Sequence, residues 1–138
     1  MPDSSSHARK PFRRAGRLLA VLAWCALIFA ASDRPDLRVS DDDAVDFVLR
    51  KLAHIAVFGV LALLVLWAVR AEGAPLRTAV PVAWFATLAY AVSDEWHQTF
   101  VPGRVGHASD VAIDMVGATI ALAIAARRLR PVPTQEST

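Results

Sequence analysis

The stretch Leu52–Val69 constrains the fold of this chain more than any other feature of its sequence. These 18 residues contain one ionisable side chain, that of His54. A helix of a water-soluble bundle carries a polar face that repeats every 3.6 residues, whereas this segment is apolar on nearly all sides. It is also long enough to cross a membrane, which takes roughly 17–25 residues. We therefore predict a membrane-spanning helix rather than a buried helix of a soluble bundle.

Three further apolar segments resemble the first but are shorter. They are Leu18–Ala31, Thr78–Val92 and Val111–Ala126. Long Arg side chains beside such segments extend their reach to the membrane interface. The composition agrees, because 55% of the 138 residues are hydrophobic and 20% are charged, against about 45–50% and 25% in soluble domains. The fold class predicted is all-α: an integral membrane bundle of four transmembrane helices.

The distribution of charge along the chain predicts its orientation. Ten basic and three acidic residues lie before the first segment, between the second and third, and after the fourth. The two remaining loops hold five basic and nine acidic residues. Cytoplasmic loops of membrane proteins carry the excess of Lys and Arg, so both termini are predicted to be cytoplasmic. The net charge of +2 conceals these two opposed ends.

These segments divide the chain into three parts. We predict a basic, disordered cytoplasmic tail over residues 1–16, a four-helix transmembrane domain over residues 17–127, and a cytoplasmic tail over residues 128–138. Beside a membrane segment, the basic tail is an orientation signal that attracts anionic lipids, so we expect membrane lipids and no nucleic acid as partners. The first segment also resembles a signal peptide that ends in Ala30 and Ala31, but a retained helix is favoured.

Polar residues gather at the predicted outer ends of three helices. Lys51 and His54 are three residues apart on the second helix, and Asp110 and Asp114 are four apart on the fourth, so each pair shares a helix face. Ionisable groups are costly inside a membrane and mark either a site or a structural network. The candidate pocket residues are Lys51, His54, Ser93, Asp94, Glu95, Gln98, Arg104, Asp110 and Asp114.

Two interpretations of this polar set stay open. It could be a purely structural cluster, in which carboxylates and cations neutralise one another and join the helices. It could also be an outward-facing pocket for an anionic headgroup, with Lys51 and Arg104 as anion contacts and His54 paired with a carboxylate. Asp114 lies deepest and needs a cationic partner, and each of these three side chains is a candidate.

Metal and nucleophile sites have weaker support in the sequence. A zinc site can be drawn from four residues, His54, Glu95, His97 and His107. Their spacings match no known ligand pattern, and the last two are predicted to be exposed in a loop. Ser93 lacks the flanking glycines of a nucleophile elbow and is expected to cap or end its helix. Cys25 has no partner for a disulfide. We predict no cofactor and no metal site.

The polar motifs resemble those of the VanZ-like family of small bacterial membrane proteins. In chain order they are Lys51-x-x-His54-x-x-x-Phe58, Ser93-Asp94-Glu95-x-x-Gln98-x-Phe100-x-Pro102-Gly103-Arg104 and Asp110-x-x-x-Asp114-x-x-Gly117. The resemblance covers about residues 18–126, and the second motif is its specific part. The family usually has Asn where this chain has Asp114, and often Tyr where it has Phe58.

The resemblance implies a multi-pass protein of the bacterial plasma membrane. Founding members of the family are associated with resistance to the glycopeptide antibiotic teicoplanin, which assigns no enzyme class. The first hypothesis is an envelope protein whose outer pocket binds a lipid-linked or cell-wall-like ligand and affects glycopeptide sensitivity. The second is a membrane enzyme that acts on a lipid-linked, phosphate-containing substrate by carboxylate and His acid–base catalysis. An ion-coupled transporter ranks last, because the ionisable groups lie near one face only.

Overall fold

The computed structural model describes residues 5–34 and 40–130, with side chains from Phe12 onward. The described residues form four α-helices and no strand: α1 (Ser5–Ser32), α2 (Asp43–Ala71), α3 (Leu76–Gln98) and α4 (Ala108–Leu129). Each of the four apolar segments identified in the sequence lies within one of these helices. The all-α class and the number of helices are therefore confirmed.

Three of the helices are long and apolar enough to cross a membrane on length and composition alone. They are α1 over Phe12–Ser32, α2 over Asp43–Ala71 and α4 over Ala108–Leu129. α3 has 23 residues, but several polar side chains occupy its last two turns. The helices therefore indicate a membrane protein.

α1 begins earlier than the sequence analysis predicts. The expected disordered tail covers residues 1–16, whereas the helix already starts at Ser5. Arg, Lys and Ala are good helix formers, so the apolar helix can extend backwards through this basic stretch. At the other end, α4 continues to Leu129, two residues beyond the predicted domain boundary. The rest of the predicted second tail, residues 131–138, lies outside the described residues.

Caps and turns set the ends of the helices at the predicted outer side. The Asp42 side chain accepts hydrogen bonds from the main-chain N–H groups of Ala44 and Val45, at 2.9 and 3.0 Å. This is an N-cap, and it fixes the start of α2. Between α3 and α4, the Arg104 N–H donates to the Val101 carbonyl at 3.0 Å, and Gly103 has a φ of 85°. The tight turn predicted from Pro102 and Gly103 is confirmed, since that positive φ favours glycine.

Glycine residues allow α2 and α4 to pack in close contact. A Cβ atom at Gly117 would overlap the main-chain carbonyl of Ile55, and one at Gly59 would lie 3.3 Å from the Gly117 oxygen. Small residues at membrane helix interfaces let two backbones approach in this way. The contact fixes the register of α2 against α4, because Ile55 follows His54 directly and Gly117 lies one turn beyond Asp114.

α1 is attached to this core by a smaller contact surface. Ile28 packs with Phe58, Leu61 and Ala91, all buried. The Trp24 indole N–H donates to the Val57 carbonyl at 3.0 Å. α1 therefore covers one side of the pair formed by the start of α2 and the end of α3.

Consecutive helices run antiparallel, so the bundle has two chemically different ends. We call one the polar end, where α1 and α3 finish and α2 and α4 begin. All nine candidate residues lie at this end. We call the other the basic end, whose described charged residues include Arg14, Arg17, Arg70, Glu72, Arg77, Arg127 and Arg128.

Candidate functional site

Three buried residues of α3 form the centre of the polar end. Asp94, Glu95 and Gln98 are each at most 6% exposed. Their spacing of three and four residues places them on one helix face, and the Gln98 amide donates to Asp94 Oδ2 and to Glu95 Oε1, both at 3.1 Å. Arg104 completes the row, because its NH1 donates to Gln98 Oε1 at 3.1 Å. One amide therefore connects two carboxylates to a guanidinium.

The loop between α3 and α4 closes directly over this row. The His107 main-chain N–H donates to Glu95 Oε2 at 2.9 Å. A Cβ atom at Gly106 would overlap the main-chain carbonyl of Glu95, so the loop lies against the helix end with no room for a side chain. Arg104 also donates from NH2 to the Arg34 carbonyl at 2.6 Å. The loop is thereby joined both to α3 and to the residues that follow α1.

Two charge pairs connect α2 to α4. Lys51 Nζ lies 2.5 Å from Asp110 Oδ1, and His54 Nδ1 lies 2.9 Å from Asp114 Oδ1. Asp114 is completely buried. Its partner is therefore His54 among the three cations considered from sequence. Lys51, proposed there as an anion contact, is engaged by Asp110 instead.

A hydrogen bond from α1 reaches the same cluster. The Ser32 hydroxyl donates to Asp94 Oδ2 at 2.8 Å, and both side chains are buried. Ser32, the last residue of α1, is not among the candidate residues predicted from the sequence. It could have been identified from its position directly after the first apolar segment, at the same predicted depth as the other polar residues.

Ser93 differs from the other candidates. Its side chain is exposed, and its hydroxyl donates to the Tyr90 carbonyl of the preceding turn at 2.7 Å. The side chain is therefore directed away from Asp94 and its partners. This arrangement suits a residue near a helix end, the role expected from the missing nucleophile-elbow glycines.

The four residues drawn as a zinc site do not come together. His97 lies in α3 rather than in a loop, and its ring is half-buried and stacked on Phe29 at 4.2 Å between centroids. The expectation of an exposed loop residue is wrong for His97, because the helix continues to Gln98. His107 precedes α4 and is exposed, as expected. A different group does converge: His54, Glu95 and Asp114 each offer one ligand atom, all within 4.8 Å of one another.

A cavity of about 220 Å³ opens beside this network. Its apolar lining comprises Ile28, Ala31, Ala53, Val57 and Phe58. Its polar lining comprises Ser32, Arg50, His54, Asp94 and Arg104. The cavity thus lies between α1, α2 and α3, and we call its two sets of lining residues the apolar wall and the charged wall. Such a lining suits an amphiphilic molecule better than a fully polar one.

Two residues that line the cavity, Arg50 and Phe58, lie outside the set of candidate residues. Arg50 lies 2.8 Å from Asp46, one turn earlier on α2, which holds the guanidinium at the cavity. The i,i+4 spacing of the two was the available signal. Phe58 is buried, with ring centroids 6.3 Å from those of both His54 and Tyr90. An apolar ring therefore separates the charged wall from the bundle core.

Comparison with known proteins gives one result. The family model described as VanZ/LLP1 matches residues 4–129, which is nearly the whole chain. No curated protein and no solved structure gives a significant match.

Proposed function

This chain belongs to the VanZ/LLP1 family, and we propose that it binds a lipid-linked or cell-wall-like ligand at its polar end in the bacterial plasma membrane. The observation that carries the proposal is the cavity with one apolar and one charged wall. By holding such a ligand the protein would affect sensitivity to the glycopeptide teicoplanin, as the resemblance to VanZ-like proteins implies.

The proposed topology has four membrane spans and both termini in the cytoplasm. Three helices meet the length and hydropathy of a span, and α3 packs against both α2 and α4 and runs antiparallel to both. A helix in this position crosses the membrane with its neighbours. The basic end then faces the cytoplasm, because positive charge is retained on that side. The domain spans residues 17–127 in this topology, with α1 continuing into the basic segment before it.

Cysteine labelling tests this topology in intact cells. Cys25 is the only native cysteine, so a Cys25→Ser chain gives a clean background. We expect Asp41→Cys, at the polar end, to react with a membrane-impermeant maleimide before lysis. Arg130→Cys, at the basic end, should react only after lysis. Labelling of both positions before lysis would contradict four spans.

The ligand class follows from the two walls of the cavity. Guanidinium groups bind phosphate and carboxylate oxygens in pairs of hydrogen bonds, and Arg50 and Arg104 both line the charged wall. The other wall consists of aliphatic and aromatic side chains that favour a hydrocarbon chain. The volume is smaller than the roughly 300–1,000 Å³ that encloses a whole drug-sized ligand. The cavity therefore fits the headgroup and first carbons of a lipid whose remaining chain lies in the membrane.

Binding is favoured over catalysis because neither carboxylate proposed as the catalytic base faces the cavity. An enzyme needs a free base near the substrate, and Glu95 and Asp110 are the candidates from the sequence. Neither lines the cavity. Glu95 accepts hydrogen bonds from Gln98 and from the His107 N–H, and Asp110 is paired with Lys51. Both carboxylates are thus engaged within the protein.

Filling the cavity tests the proposal directly. Ala53 lines the cavity, whereas Ala89 is an exposed alanine of α3 that lines none of the described cavities. We expect Ala53→Phe to weaken binding of a long-chain polyprenyl phosphate at least about tenfold and Ala89→Phe to leave it unchanged. Native mass spectrometry of the full chain, released from detergent micelles with added polyprenyl phosphate or phosphatidylglycerol, measures both. Preference for the polyprenyl phosphate would identify a lipid-linked ligand.

The same two variants connect binding to antibiotic sensitivity. In a host whose own copy has been deleted, Ala53→Phe should behave like the deletion in a teicoplanin susceptibility test, and Ala89→Phe like the unchanged chain. If Ala53→Phe folds and neither binding nor sensitivity changes, the polar cluster has a structural role alone.

A further inference from the structure

Three different helices direct one potential metal ligand each to a single point of the polar end. His54 comes from α2, Glu95 from α3 and Asp114 from α4. One ligand atom of each lies within 4.8 Å of the other two. The set is fixed by its surroundings, since the Gly117–Ile55 contact sets the register of α2 against α4 and the His107 N–H holds Glu95. Preorganised side chains on rigid helices are what a metal site requires.

Negative charge exceeds positive charge around this point in the described part of the chain. Lys51 is paired with Asp110. Arg104 donates to an amide oxygen and to a main-chain carbonyl rather than to a carboxylate. Glu95 and Asp114, both buried, are left with one imidazole between them. Two buried carboxylates this close are unstable as anions without a further cation.

One oxygen of Asp114 has no hydrogen-bond partner among the described residues. Asp114 is completely buried, and while its Oδ1 bonds to His54, its Oδ2 is unpaired. Buried polar atoms in folded proteins almost always have a partner. A metal ion bound to this oxygen would give it a partner and would also offset the excess of negative charge.

We propose that His54, Glu95 and Asp114 bind a divalent transition-metal ion, with Zn²⁺ as the preferred species. One imidazole nitrogen and two carboxylate oxygens are ligands that Zn²⁺ accepts, with Mn²⁺ as an alternative. Bonds of about 2.0–2.2 Å place tetrahedral ligand atoms roughly 3.3 Å apart. The three atoms therefore need to close by at most about 1.5 Å, which side-chain rotation provides.

The ion would lie at the edge of the cavity, because His54 is both a proposed ligand and a residue that lines the cavity. Three protein ligands leave a fourth position open for water or for an oxygen of a bound molecule. The inference goes beyond the proposed function and does not depend on it. The metal can bind whether or not the cavity accepts a lipid.

Metal binding by the full chain in detergent tests the inference without any lipid ligand. The protein is purified, its affinity tag is removed, and it is treated with EDTA and then dialysed against Zn²⁺, with metal content measured by mass spectrometry. We expect one ion per chain. Asp114→Asn preserves the size of the side chain and should weaken binding about 100-fold or more, as should His54→Gln. His107→Gln keeps the main-chain N–H that holds Glu95 and removes only the exposed imidazole ring outside the group, so it is the matched control.

Co²⁺ provides a second measurement, because its visible absorption reports on the ligands. A band that appears with the unchanged chain and with His107→Gln, but not with Asp114→Asn, supports the site. Should Asp114→Asn fail to fold by circular dichroism, Glu95→Gln replaces it as the test variant. Equal Zn²⁺ affinity of the folded variants and the unchanged chain would overturn the proposal, as would no binding by the unchanged chain.

Discussion

The two ends of the helix bundle both carry ion pairs, but they place them in different surroundings. At the basic end, Glu72 lies 2.8 Å from Arg17 and 3.6 Å from Arg14, and the Glu72, Arg14 and Arg17 side chains are 44%, 66% and 16% exposed. At the polar end, the Lys51 and Asp110 side chains are 24% and 17% exposed. The carboxylate of Glu72 at the basic end is thus exposed to water, whereas both members of the Lys51–Asp110 pair are largely enclosed between helices.

This difference separates two uses of charge within one small protein. Exposed pairs contribute little to stability, about 0–1 kcal/mol, because water and salt screen them. In the proposed topology, the net positive charge of the basic end sets the orientation of the protein in the membrane. Enclosed charges are costly to leave unpaired, and two pairs of them lie across helices here, Lys51 with Asp110 and His54 with Asp114. The polar end is therefore where a substitution should disturb both fold and binding.

The largest expected effect comes from a methyl group added at a glycine next to the polar end. Gly117→Ala places a Cβ atom against the Ile55 carbonyl, so α2 and α4 must separate. We expect a loss of about 3 kcal/mol in the free energy of unfolding, at the upper end for overpacked cores. Unfolding by SDS in mixed micelles, followed by circular dichroism, measures it.

The matched glycine at the basic end should behave in the opposite way. Gly16 has no atom near the position that a Cβ would occupy. Gly16→Ala is therefore expected to be neutral or to stabilise α1 by up to about 1 kcal/mol, because Ala is the better helix former. Equal destabilisation at both glycines would contradict the packing difference between the ends.

The importance of Gly117 also explains what the sequence could and could not predict at the site. Four apolar segments and the i,i+3 and i,i+4 spacing of charged residues predicted the helices and the shared faces. The partner of Asp114 could not be chosen from three cations. That choice depends on the register of α2 against α4, which a contact between residues 62 positions apart in the chain, Ile55 and Gly117, determines.

The position of α1 was beyond prediction for a related reason. Its exposed face carries large apolar side chains such as Leu18, Leu19 and Leu22, so hydrophobicity does not distinguish the face that meets protein from the face that meets lipid. The contacts that settle it are single hydrogen bonds, from Trp24 to the Val57 carbonyl and from Ser32 to Asp94. Residues of α1 line the cavity. The sequence therefore predicted a pocket but not the residues that line it.

A smaller effect is expected when one charge is removed from a pair at each end. Asp110→Asn leaves the half-buried Lys51 without its carboxylate, and we expect a loss of about 1–2 kcal/mol after allowance for its partial exposure. Glu72→Gln should cost less than about 0.5 kcal/mol. SDS unfolding at low and high salt compares them, and only the Glu72→Gln effect should disappear at high salt. Equal costs, or equal salt dependence, would show that the two ends do not differ in screening.

The smallest expected effects distinguish two serines at the same depth of the bundle. Ser32→Ala removes a buried hydrogen bond to Asp94 Oδ2 and should cost about 1 kcal/mol. It should also loosen α1, so that the thiol of the half-buried Cys25 reacts faster with a fluorogenic maleimide. Ser93→Ala removes only an exposed hydroxyl that bonds to its own helix, and neither quantity should change. A larger effect of Ser93→Ala than of Ser32→Ala would mean that the polar cluster includes the exposed face of α3. That result would contradict a network enclosed between the helices.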